Sequence, residues 1–131
     1  MSFRTSMLLF VLAAFVSTGC GKGGPEMYTI AGQASYKDQP IADGEIILRP
    51  KDARGKAYAA KIEGGRFTVE TTGGPKTVEI VGYRETGKFS TANPGEKTPV
   101  REMYIPKKYN EKTELVADIK AGQSTLDFPL K

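Results

Sequence analysis

The chain has 131 residues, a formal charge of +4, one cysteine, and neither histidine nor tryptophan. Without histidine it has no His-based catalytic triad, no His zinc site and no imidazole general base, and one cysteine excludes a disulfide within the chain. The basic excess is small and scattered, which argues against a nucleic-acid partner.

Residues 1–6 carry Arg4, residues 7–16 are uninterruptedly apolar, and Ser17, Thr18 and Gly19 are small. A helix of that apolar length spans about 15 Å, roughly half of a hydrocarbon core of about 30 Å. The run is therefore too short for a membrane span, and the order of basic, apolar and small residues is that of a secretory signal. Cys20 stands at the cleavage position. With it, Val16-Ser17-Thr18-Gly19-Cys20 resembles the lipobox of bacterial lipoproteins, with Ser17 where lipoboxes usually carry Leu. The resemblance implies cleavage before Cys20 and acylation of that cysteine. The chain would then be anchored in membrane lipid at the cell envelope, facing the periplasm or exterior. Residues 1–19 are then a lipoprotein signal peptide, and residues 20–26 the lipidated cysteine and a glycine-rich tether that spaces a domain from its anchor. Residues 27–131 form one domain.

Within 27–131 no amphipathic helix of convincing length appears. Glycines and prolines separate short alternating runs, which predicts an all-β domain. Met27–Tyr36 is the first strand, with Ile30, Ala34 and Tyr36 on one face. Residues 37–40 turn the chain into a strand at 45–49 with Ile46 and Leu48 inward, ended by Pro50. A polar loop at 51–56 leads to strand 57–63 (Tyr58, Ala60 and Ile62 on one side). Gly64-Gly65 suits a tight hairpin turn. Strand 66–71 follows with Phe67, Val69 and Thr71 inward, and then strand 76–84 with Val78 and Ile80 inward. Residues 85–112, with Pro94, Pro99 and Pro106 and many charges, read as a long irregular loop. Such a loop is a candidate for function. Within it Met103-Tyr104-Ile105 can form a short strand, and Pro106 can open a helical turn through Tyr109-Asn110. Strands 113–119 (Leu115, Ala117, Ile119 inward) and 124–130 (Leu126, Phe128, Leu130 inward) complete the set. Seven strands of this kind predict a single antiparallel seven-stranded β-sandwich.

Gly32-Gln33-Ala34-Ser35-Tyr36-Lys37-Asp38-Gln39-Pro40-Ile41-Ala42-Asp43-Gly44-Glu45-Ile46 resembles the opening of carboxypeptidase regulatory-like domains, and Gly65-Arg66-Phe67-Thr68-Val69 resembles their Gly-x-Phe strand. Ile105-Pro106-Lys107-Lys108-Tyr109-Asn110, with Leu115, Gly122 and Asp127-Phe128, resembles the end of small bacterial lipoproteins that carry this domain. The resemblance implies a Greek-key sandwich of transthyretin (prealbumin) type, without catalytic activity and without a cofactor.

Several constellations compete with that reading. Gly82-Tyr83-Arg84-Glu85-Thr86-Gly87-Lys88 has the glycine–lysine spacing of a phosphate loop, but Phe89 follows where Ser or Thr would bind Mg²⁺. Asp38, Asp43 and Asp52 fall near turns, without the ligand run of a calcium loop. Glu79, Glu85, Glu96 and Glu102 contain no spacing that singles out a catalytic pair. Lys107, Lys108 and Lys112 read as a solvated loop. A transthyretin-like hydrolase needs histidines and a C-terminal Tyr-Arg-Gly-Ser, and this chain ends Phe128-Pro129-Leu130-Lys131. No catalytic or metal site is expected. The candidate ligand surface is aromatic, formed by Tyr83, Phe89, Tyr104 and Tyr109 in or beside the long loop. The expected function is that of a non-enzymatic interaction or structural module, partnered by an envelope protein or a glycan. The alternative is a carbohydrate- or peptide-binding module that uses 85–112.

Overall fold

A computed structural model describes residues 23–52 and 54–131. Cys20 and the signal segment lie outside the described residues. The domain is all-β. Its strands are β1 (Met27–Tyr36), β2 (Gln39–Pro40), β3 (Asp43–Pro50), β4 (Tyr58–Glu63), β5 (Arg66–Thr72), β6 (Gly74–Ser90), β7 (Thr98–Met103), β8 (Val116–Ile119) and β9 (Phe128–Leu130), with one 3₁₀ turn at Lys107–Tyr109. They form one curled sheet in the order β2-β1-β5-β4-β3-β6-β7, with β8 added to β6 and β9 to β1. The ladders are antiparallel except along β9, which runs parallel to β1 from Ala34↔Phe128 to Tyr36↔Leu130.

Period-two alternation places the core. Ile30, Ala34, Ile46, Leu48, Ile62, Phe67, Val69, Val78, Ile80, Ala117, Ile119, Phe128 and Leu130 are buried in one cluster, while Leu115 and Leu126 pack against it partly exposed. Ile41 and Ile105, which belong to no alternating run, are buried with them. The hairpin between β4 and β5 turns on Gly64 and Gly65, both at positive φ (57° and 78°). Beyond it the two strands share only the pair Glu63↔Arg66. The ladder therefore divides there, with β9-β1-β5 on one side and β4-β3-β6 on the other, and both sides contribute to the same core. The described residues hold this core and its ladders without any part of 1–22, so a chain of residues 21–131 carries what it needs to fold.

Gly32 marks the closest backbone approach. A Cβ there would lie 1.9 Å from the Leu126 carbonyl oxygen and 2.5 Å from Phe67 Cζ. The carbonyl belongs to the segment whose Leu126 N–H bonds to Ala31 O (3.0 Å), so it cannot retreat without losing that bond. Gly32→Ala is expected to destabilise the domain by about 1–3 kcal/mol or more, read as a lower urea midpoint at unchanged slope.

The expectation of a long loop at 85–112 is corrected. β6 continues to Ser90 and β7 pairs back on it, in register from Tyr83↔Met103 to Glu85↔Arg101 and again from Phe89↔Pro99 to Ser90↔Thr98, with an irregularity between. β3 leaves β6 at Gly44↔Gly82, so residues beyond Gly82 form a two-stranded ribbon. Their charges and glycine conceal the strand because little of the ribbon is buried. The irregular part of 85–112 shrinks to 91–97 and 104–112, and the helical turn expected after Pro106 is present as the 3₁₀ turn. The strands expected at 113–119 and 124–130 are shorter, Val116–Ile119 and Phe128–Leu130.

Candidate functional site

The ribbon separates the four candidate aromatics instead of gathering them. Adjacent strand residues face opposite ways, so Tyr83, opposite Met103, lies on one face and Arg84, opposite Glu102, on the other. Tyr83 is 38% exposed and Phe89, further along β6, is 59% exposed. Tyr104 and Tyr109 turn back onto the domain. Their rings lie 6.1 and 6.5 Å from that of Tyr36, in tilted and edge-on geometries that aromatic pairs favour.

The Tyr36–Tyr104–Tyr109 group is a structural clamp. The Tyr109 hydroxyl donates to Lys131 O (2.6 Å) and accepts from Lys131 N–H (3.0 Å), which ties the turn to the residue after β9. The Lys108 ammonium beside it, helped by that backbone N–H, holds the Tyr109 phenol below its ordinary range. Burial pushes the Tyr104 phenol up, against the nearby Arg84 guanidinium. Asn110, a polar residue that sequence patterning does not single out, is buried beneath the turn. Its side-chain amide donates to the carbonyls of Ile80 (3.2 Å), Ile105 (3.3 Å) and Pro106 (3.1 Å), and its Oδ1 accepts from Glu111 N–H (2.9 Å). The segment after β7 is thus pinned to β6 by hydrogen bonds as well as by Ile105. A consequence is measurable. Amide exchange should be fast over 91–97 and slow over Ile105 to Asn110, and equal rates would remove the distinction between tip and clamp.

Tyr83 belongs to a different surface. It lines an open groove of about 830 Å³ with Asp43, Lys61, Glu63, Thr98 and Arg101. Arg101 pairs with Asp43, and its guanidinium lies 5.5 Å from the Tyr83 ring centre, within cation–π range. Lys61 and Glu63 pair with each other at 2.6 Å, and that contact lowers the Glu63 pKa. With three cationic and three anionic side chains in its lining, Arg84 and Glu85 included, the groove carries no net charge that would select a charged ligand. It offers hydrogen-bonding groups around one aromatic ring. Sequence reading found Tyr83 and weighed Asp43 only as a calcium ligand, and it missed Arg101 and the pairing of the two, because the register that joins β3, β6 and β7 is a long-range fact.

The other constellations do not assemble. β6 runs as strand through Gly82 and Lys88, so no helix N-terminus follows to receive phosphates. Among the described residues no group of three or more acidic or cysteine side chains forms a metal site, and no helix is long and apolar enough to cross a membrane.

No family model matches the chain, and no curated protein matches it. Among solved structures it is similar to a 9R-lipoxygenase from Cyanothece PCC8801, at 14% identity and a TM-score of 0.34 over 80% of this chain. The chain spans 16% of that protein's length, and a likeness so slight carries no argument about fold or function.

Proposed function

We propose that the chain is a lipid-anchored envelope protein. Acylated Cys20 holds it to a membrane, and its β-domain serves as a non-enzymatic interaction or structural module. The sequence at 1–25 supports the anchor, with its signal order, its cysteine at the cleavage position and its short tether. We read the domain as a Greek-key sandwich of the carboxypeptidase regulatory-like, transthyretin type. The division of the ladder at Glu63↔Arg66 and the shared core support this reading.

The observation that carries the recognition role is the ribbon beyond Gly82. It extends past the β3 ladder and exposes Tyr83, Phe89, Val100 and Met103, apolar surface that serves no core. Such surface on a rigid scaffold is where binding is expected. Within this role, a glycan or peptide ligand at the Tyr83 groove is the alternative that the ring and its polar rim favour. A glycan array and a peptide display screen on residues 21–131, with and without the Tyr83→Ala substitution, test it. Tyr83 is 38% exposed and outside the core, so the variant should fold, and it should lose the binding. A folded variant that keeps every binding activity would move recognition away from the Tyr83 groove.

A further inference from the structure

Lys76 stands where the β6 alternation calls for an apolar residue. It precedes Val78 and Ile80 on the inward face, and it is 2% exposed. Its ammonium donates to Thr72 Oγ1 at 2.7 Å. None of the ion pairs among the described residues includes it. A lysine ammonium carries three donors, so this buried cation retains donor capacity, and its nearest electrostatic partner, Asp52, is not in ion-pair contact with it. The ammonium instead lies 5.8 Å from the Tyr58 ring centre, and a second ammonium, that of Lys56, lies 5.7 Å from the same ring. Burial accordingly lowers the Lys76 pKa, with Asp52 opposing.

These groups line one pocket of about 620 Å³, together with Lys51, Asp52 and Pro25. Three lysines face one carboxylate there. Pro25 places the pocket at the end of the domain where the tether enters. Pro25 is the fifth residue after Cys20, a reach of at most about 18 Å at full extension.

We infer that the Lys51–Lys56–Lys76 pocket binds a phosphate group, and that its source is the headgroup of an anionic phospholipid in the membrane that holds the anchor. The phosphate would accept from the Lys76 ammonium inside the pocket and from the Lys56 ammonium at its rim. The tether's length brings this end of the domain, and not the ribbon, to the headgroups. Only the source rests on the anchoring proposal; the phosphate chemistry rests on the pocket.

The test uses residues 21–131, which lack Cys20, so binding cannot arise from acylation. Co-sedimentation with vesicles of mixed phosphatidylglycerol and phosphatidylcholine should exceed that with phosphatidylcholine alone. A lysine near an anionic surface contributes about fivefold in affinity. Lys56→Gln and Lys76→Met should each lower vesicle binding by about that factor, and Lys112→Gln, an exposed lysine elsewhere, should not. Lys56 is exposed, so its variant reports even if Lys76→Met folds poorly. Titration with inorganic phosphate, followed by amide shifts at Thr72 and Tyr58, forms the second arm. Shifts without vesicle binding would retain the phosphate site and overturn the lipid source. An equal loss in Lys112→Gln, or binding of neither probe, would overturn the site itself.

Discussion

Cys20→Ser is expected to abolish membrane attachment completely. Acylation of a lipobox cysteine begins with sulfur attack, and the thiolate is the nucleophile. A serine hydroxyl is hardly ionised at neutral pH and does not replace it. Stable anchoring needs more than one acyl chain, since each buried methylene contributes only about 0.8 kcal/mol and a single chain holds reversibly. On the proposed reading, losing Cys20 would therefore remove the whole anchor, not a fraction of it. Membrane fractionation with mass spectrometry of the N-terminus reads the result. The native chain should begin at a lipidated Cys20, and the variant should be unprocessed or unlipidated. A variant that matures and fractionates like the native chain would refute the anchor.

Phe128→Ala should cost about 3–5 kcal/mol, a large share of the 5–15 kcal/mol typical of a domain. Phe128 is buried at 7% exposure in the parallel strand that covers the edge of β1. Its ring lies 6.3 Å from that of Phe67, on the strand paired to the other edge of β1. The two rings thus join the strands on either side of β1, and truncation leaves a void facing Phe67 that backbone ladders on both sides prevent from collapsing. Denaturant unfolding of residues 21–131 measures it. A loss under about 1 kcal/mol would mean that the site relaxes around the void.

What the sequence disclosed and what it withheld follow from burial. Phe67, Val69, Val78, Ile80, Phe128 and Leu130 alternate with polar residues because one face of each strand is dry and the other wet. The strands that hold them are legible to within a few residues. The stretch from Arg84 to Met103 is also mostly strand, but solvent reaches both of its faces. No physical pressure writes an alternation there, and seven charges, two glycines and two prolines look like a loop. β7 is in addition an edge strand whose Pro99, Arg101 and Glu102 are residues that discourage further pairing, and they discourage recognition of the strand as well. The four aromatics were individually visible. Their separation was not, because it depends on the parity of Tyr83 against Arg84 and on the distant Tyr36. Lys76 shows the opposite case. Its position within the β6 pattern marks it as inward, yet its charge reads as outward, and only the Thr72 and Tyr58 partners reconcile the two.

The flanking of β1 has a mechanical consequence. Force transmitted through residue 26 would pull along the axis of a strand bonded to β5 on one edge and to β9 on the other. The antiparallel ladder bonds to β5 lie across the strand direction, and those to the parallel β9 cross it at a slant, so such a pull shears them together instead of unzipping them in turn. A load entering at this terminus would meet the domain in its stiffest direction. The ribbon beyond Gly82, joined to the rest by fewer strands, would yield first. Were the chain anchored and partnered as proposed, a tug between the two would therefore be absorbed at the ribbon, leaving the attachment end intact.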